Sequence, residues 1–303
     1  MAKSHYLKRS IQDRLFDIFN CSFMIILMFV MVFPFWNTIV VSLNEAIDGI
    51  KGNLYFWPRV FTFNNYTNLF RTNTLVDAFY VSVSKTIIVT LLNVFFSALA
   101  AYILSRRDFV LKKILTIALV VTLYLDVGLI PQYFNFRDLG LINNYMVYIV
   151  PGLLGALNVI VIRTFIYGLP ESLAESAKID GAGEFRIFVQ IIIPLCKPIL
   201  ATVALWVAVG AWNSWFDTYI FASSKQHLST LQYEMMKLLS SAMIQSGSIN
   251  PGIAATGSTS AVTVTPNSVR SAITIIAALP IIFIYPFLQK YFVAGLVIGG
   301  VKG

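Results

Sequence analysis

Charge is scarce in this sequence. Only 12% of its 303 residues are Asp, Glu, Lys or Arg, about half the share of a soluble globular domain. Histidine and cysteine number two each. His5 and His227 stand far apart, and neither neighbours Cys21 or Cys196, so no metal site is expected. Both cysteines fall near expected cytoplasmic membrane boundaries, which argues against a structural disulfide. The chain has no Walker-type phosphate loop, no GxSxG elbow and no internal repeat. Its apolar runs hold no nucleophile–base or paired-carboxylate set. No catalytic residue and no cofactor of its own is therefore expected.

What fills the space is hydrophobic sequence, 57% of all residues, with a mean hydropathy of +0.76. Several runs approach or exceed the ~20 apolar residues that cross a bilayer. They are continuous rather than alternating, so the spacing predicts an all-α polytopic membrane protein and not a β-barrel. The basic N-terminus (Lys3, Lys8, Arg9) precedes an apolar run from Phe16 to about Leu43. That is too long for a cleaved signal peptide and reads as the first span.

Six spans are expected within a single transmembrane domain, at about 16–43, 77–104, 114–130, 144–167, 198–221 and 269–288. Lys and Arg orient them. The N-terminus (1–15), the loop 105–113, the stretch 168–196 with the adjoining Lys197, and the tail (289–303) hold 13 of these residues. The opposite loops, 44–76, 131–143 and 222–268, hold 6. The positive-inside rule then places both termini in the cytoplasm. The net charge of +8 thus lies at span ends as orientation signals, not as a nucleic-acid-binding stripe.

The longest internal polar island runs from Leu169 to Ile193-Pro194, on the cytoplasmic side. Pro170 suits the first turn of a helix, and Glu171 and Ser172 place polarity at its positive end. Leu173, Ala174 and Ala177 share one side. The helix ends at Asp180-Gly181, because glycine accepts the left-handed conformation past a helix end. A second amphipathic segment from Gly183 is expected to bury Phe185, Phe188, Val189 and Ile192. A rigid knob between two spans suits docking of a soluble partner.

Few groups inside the spans carry charge. Lys85 and Asp126 fall at similar depth and are expected either to pair across helices or to reach interfacial water separately. No carboxylate chain stands at the midplane, which disfavours an ion-coupled secondary transporter, the main alternative. Trp212, Asn213, Trp215 and Asp217 in the fifth span offer aromatic faces with amide and carboxylate oxygens, the groups that bind sugars. An interfacial aromatic belt explains the tryptophans equally. Asn93 and Asn158 are read as bonding between helices. The outer loop has no charged residue from Ser240 to Ser268. Around Gly247, Asn250, Gly252 and Gly257 it reads as a flexible excursion or a neutral probe.

The island resembles the EAA signature of permease subunits in ATP-binding-cassette importers: EAA, three residues, Gly, nine residues, I-x-L-P. Glu175-Ser176-Ala177, Gly181, Ile191 and Ile193-Pro194 fall at that spacing, with Ser176 and Ile193 as mild departures. The stretch Leu169 to Ala182 and the tail Gly295 to Gly303 are similar to the MalG-like permeases of maltose-type importers. Gly128-Leu129-Ile130-Pro131 and the segment from Trp212 to Asp217 resemble the oligosaccharide and polysaccharide branch.

The resemblance implies a type I importer in the bacterial cytoplasmic membrane that moves a sugar or oligosaccharide inward. It implies a second, different permease, two ATPase subunits that hold ATP and magnesium, and an external solute-binding protein. Glu171 to Ile179 becomes the coupling helix, with Glu171, Leu173, Ala174, Glu175, Ala177, Lys178, Asp180 and Gly181 facing or shaping the ATPase contact. The loop before the last span becomes a probe of the binding protein's sugar cleft.

Overall fold

A computed structural model describes residues 11–70, 73–125, 127–247 and 265–300. Among them the chain is helical, with one isolated antiparallel bridge, Asn44 to Phe61. It divides into two units, one of residues 1–69 and 242–276, the other of 70–241 and 277–303.

In the first unit, helix Ile11–Ser42 is long and apolar enough to cross a membrane, and its apolar window buries nothing within the chain. A chain surface this apolar needs lipid or a partner around it. The segment after it is built rather than slack. Asn65 donates to the carbonyls of Ser42 (2.8 Å) and Asn44 (2.9 Å). Asp48 meets Arg59 at 3.0 Å and Lys51 at 3.2 Å. Trp36 Nε1 donates to Phe56 O at 2.9 Å, fastening the helix end to the loop.

The second unit is organised around helix Asn73–Ser105, also long and apolar enough to span. It packs against Ala156–Tyr167 and Lys197–Asn213. Ala101, Val159, Ile162, Ile187, Phe188 and Val203 form the fully buried centre of that core. Ser97, Ala98, Ala100 and Ala101 are small and let the neighbouring helices approach closely.

Several expected spans are broken. The third, expected over 114–130, is helix Lys112–Tyr124. Gly128, at φ +78°, then turns the chain into a separate helix, Leu129–Asp138. Pro131 belongs to the first turn of that helix, where its missing N–H is tolerated, so residues 131–138 are not a plain connector. The fourth span bends by 42° between Met146–Gly152 and Ala156–Tyr167. Pro151 withholds a hydrogen bond there. The fifth divides into Lys197–Asn213 and Phe216–Phe221. The last helix, Pro266–Gly300, outruns the expected 269–288 and carries Pro280 and Pro286.

Part of the stretch 222–268, expected to be an outer loop, is also helical, over Leu231–Gly247. Leu231 and Met235 are buried at helical spacing, and Glu234 pairs with Lys237 at 2.6 Å.

Candidate functional site

The polar island has the expected helix and stop, but Leu173, expected to share a side with Ala174 and Ala177, is exposed. Helix Ser172–Ile179 follows Pro170, and Gly181 stands past its end at φ +80°. The amide N–H of Gly181 donates to Lys178 O and that of Ala182 to Ala177 O, which satisfies carbonyls at the helix end. Ala174, 6% exposed, plugs the helix into the core. Glu175 and Asp180 are exposed, as are Leu173 and Ile179. The helix therefore has an anchored side and a free, partly apolar side.

The second segment differs from its expected face. Ile187, Phe188 and Ile192 are buried, but Phe185 and Val189 are exposed. A π-helical stretch, Phe188–Ile192, widens the turn and shifts which positions face inward. Phe185 therefore joins Leu173 and Ile179 as exposed apolar side chains of the island. The segment Glu184–Leu195 meets the following helix at 81°, so the island lies nearly across the span it precedes.

Two ion-pair contacts tie the island to the loop 105–113. Arg107 meets Glu171 at 2.7 Å. Glu184 receives Lys178 at 2.7 Å, Arg106 at 3.0 Å and the Tyr102 hydroxyl at 2.5 Å. Partial burial pushes the Glu184 carboxyl up, but the bonds from Lys178, Tyr102 and Arg106 together outweigh it and hold it down at about 2. The sequence reading placed Glu171 and Lys178 on the island but missed Arg106, Arg107, Tyr102 and Glu184. The available signal was the pair of arginines in a short loop expected on the same side as the island.

Deeper in the second unit lies a cavity of about 310 Å³, lined in part by Lys85, Asn93, Gln132, Tyr148, Ser214 and Asp217. Lys85 Nζ is 3.6 Å from Asp217 Oδ2 and 4.6 Å from the centre of the Tyr148 ring. Ser214 donates to the same Asp217 oxygen. Asn93 accepts from Asn158 Nδ2 (2.8 Å) and donates to Gly152 O (2.7 Å), so these two asparagines do bond across helices.

Of the expected pair Lys85 and Asp126, Asp126 lies outside the described residues. The carboxylate beside Lys85 among the described residues is Asp217. Of the expected sugar-path residues, Asp217 lines the cavity and the others sit elsewhere. Trp212 is buried and donates from Nε1 to Ala277 O at 3.0 Å. Asn213 donates to Val209 O at 3.0 Å within its own helix. Trp215 lies against Phe216 and Tyr219. Of the expected probe positions, Gly247 ends a helix, while Asn250, Gly252 and Gly257 lie outside the described residues.

No protein-family model matches the chain. Individual proteins do. It is 31% identical over 292 residues to the polygalacturonan/rhamnogalacturonan transport system permease protein YtcP of Bacillus subtilis, covering 96% of this chain and 100% of that one. It is 32% identical to protein LplC of the same organism, over 100% of both chains. The arabinooligosaccharides transport system permease protein AraQ of Bacillus subtilis is 30% identical, over 98% of this chain and 100% of its own. A bacterial ABC transporter involved in the import of the acidic polysaccharide alginate contains a chain that superposes with a TM-score of 0.81 at 25% identity. That match covers 94% of this chain and 99% of the other. With a polar knob set across an apolar helical body, and full-length likeness to these permeases, the chain is an integral membrane protein belonging to the permease subunits of carbohydrate ATP-binding-cassette transporters.

Proposed function

We propose that this chain is one half of the membrane channel of an ATP-driven importer, and that helix Ser172–Ile179 takes up the stroke of an ATPase. The observation that carries the reading is the two-sided build of the island. Ala174, Ile187 and Phe188 fix one side in the core, while Leu173, Glu175, Ile179 and Phe185 stand free on the island. The free groups combine apolar area with charge, which suits a protein partner more than lipid.

The mechanism follows from that geometry. An ATPase cleft that closes on ATP pulls the island, and the core beneath passes the displacement to helices Asn73–Ser105, Ala156–Tyr167 and Lys197–Asn213. Helices packed to native density move as bodies rather than deform. The breaks at Gly128, 153–155 and 214–215 provide the joints. Nucleotide and magnesium belong to the ATPase subunits; this chain transmits motion and lines the route, without making or breaking bonds.

The fuller assembly we propose is six spans with both termini in the cytoplasm, in the cytoplasmic membrane of a bacterium. A different permease completes the channel, two ATPases sit below and a solute-binding protein sits above. The neutral segment with Gly247, Asn250, Gly252 and Gly257 enters the binding protein's cleft. The cargo is a sugar or oligosaccharide, in keeping with the substrates named for the relatives. Purification of the chain through a C-terminal tag tests this directly. The expected result is stoichiometric recovery of an ATPase and a second permease; recovery of a chain that transports alone under an ion gradient overturns it.

A further inference from the structure

The cavity around Lys85 holds an arrangement that the docking mechanism does not use. The Lys85 side chain is 3% exposed, and its Nζ has no hydrogen bond among the described residues. A buried ammonium carries three donors and is costly to leave unsatisfied. Its neighbours relieve the charge only in part and leave its donors unmet. Asp217 Oδ2 stands at 3.6 Å, beyond a good hydrogen bond, and already accepts from Ser214. The Tyr148 ring attracts the charge through its face, while its hydroxyl is hydrogen-bonded to Leu228 O and Thr218 Oγ1. Asp217, by contrast, has 45% of its side chain exposed. The pair thus presents an unmet donor beside an accessible acceptor on one cavity wall.

Ligand chemistry can be sorted by that wall. A cation satisfies Asp217 and repels Lys85. A carboxylate satisfies Lys85 but meets Asp217, the more exposed of the two. A vicinal diol satisfies both, because each hydroxyl accepts and donates. Gln132 and Ser214 on the lining add further polar groups, and Val89 and Val207 give apolar wall for a ring face. The volume of about 310 Å³ lies at the small end of ligand pockets, which suits one ring at a time rather than a folded oligosaccharide.

We propose that this cavity is a transport subsite that grips one sugar ring through a vicinal diol held between Lys85 and Asp217, reading hydroxyls rather than charge. The inference rests on the carbohydrate-import reading above. It adds a counter-ion, Lys85, and shifts recognition from the tryptophans of the fifth span to a charged pair.

The test uses the whole importer with its binding protein in proteoliposomes and two labelled probes, galactobiose and digalacturonate. These share ring diols and differ in charge. The wild type imports at least one of them. Lys85→Met and Asp217→Asn each lower its uptake by about tenfold or more, as expected for loss of a charge-assisted hydrogen bond. Where both probes are imported, they fall together. The double variant K85M/D217N removes both charges and so leaves no unpaired buried ion. It assembles at the wild-type level, yet its uptake stays low. Recovery of uptake in the double variant makes the pair a structural ion pair and overturns the proposal. Loss of digalacturonate alone in Lys85→Met makes it an anion site and overturns it as well. A wild type that imports neither probe and no oligosaccharide retained by its binding protein refutes the carbohydrate reading itself, and the diol subsite falls with it; where it imports such an oligosaccharide instead, the same losses are expected with that sugar.

Discussion

Glu184 is the residue on which the island and the loop 105–113 converge. Its carboxylate holds Lys178 from helix Ser172–Ile179, Arg106 from the short loop, and Tyr102 from the end of helix Asn73–Ser105. With its pKa drawn down from 4.5 to about 2, the sign of its linkage is fixed. Its contribution is complete above the unfolded value and is lost only as pH falls through about 2. Transport should therefore show no step from this group between pH 8 and pH 5. Glu184→Gln should act at every pH in that range. Half-exposed ion pairs contribute about 1 kcal/mol or less, so the variant should assemble. The loop should detach up to about fivefold more often, read as a rise in ATP hydrolysed per sugar imported. An unchanged ratio would mean that the hub is ornamental to coupling.

At the scale of elements, the proposed coupling helix, Ser172–Ile179, is set by its two ends. Gly181 adopts φ +80°, and a Cβ there would meet nothing within 4 Å of the chain. The cost of a side chain is then conformational, about 1–2 kcal/mol for most residues and less for asparagine. Gly181→Asn should retain ATPase co-purification and most uptake. Gly181→Arg fills the open space that the proposed function gives to the ATPase. It should stay in the membrane and lose at least tenfold in substrate-stimulated ATP hydrolysis; normal stimulation would refute docking at this helix. This element was legible because Pro170 and Gly181 act through local backbone rules. So were helices Ile11–Ser42 and Asn73–Ser105, where apolar run length alone decides. The breaks at Gly128 and 214–215 were obscured because an apolar run reads alike whether its helix is whole or interrupted. The pairings Lys85 with Asp217 and Arg106 with Glu184 stayed hidden for a different reason. Hydropathy gives a residue's depth, but which helix it faces depends on rotation and packing.

At the scale of the whole molecule, everything proposed for the island depends on which side of the membrane it occupies. Thirteen basic residues against six favour the cytoplasm, because basic residues flanking spans resist translocation. The two faces have suitable reporters in Ser176, exposed on the coupling helix, and Ser223, exposed in the outer loop. In a background where Cys21 and Cys196 are replaced, Ser176→Cys should resist a membrane-impermeant maleimide in whole cells or spheroplasts and react in inside-out vesicles. Ser223→Cys should show the reverse. Cys196 is buried, and the background variant therefore needs a small apolar residue there, Ala, to keep the core it shares with Ile192 and Val203 packed. If both reporters label from outside, the fifth span does not cross the membrane. Labelling of Ser176→Cys alone from outside would invert the molecule. Either result would put the island beyond reach of any cytoplasmic ATPase, whatever its resemblance to one that docks there.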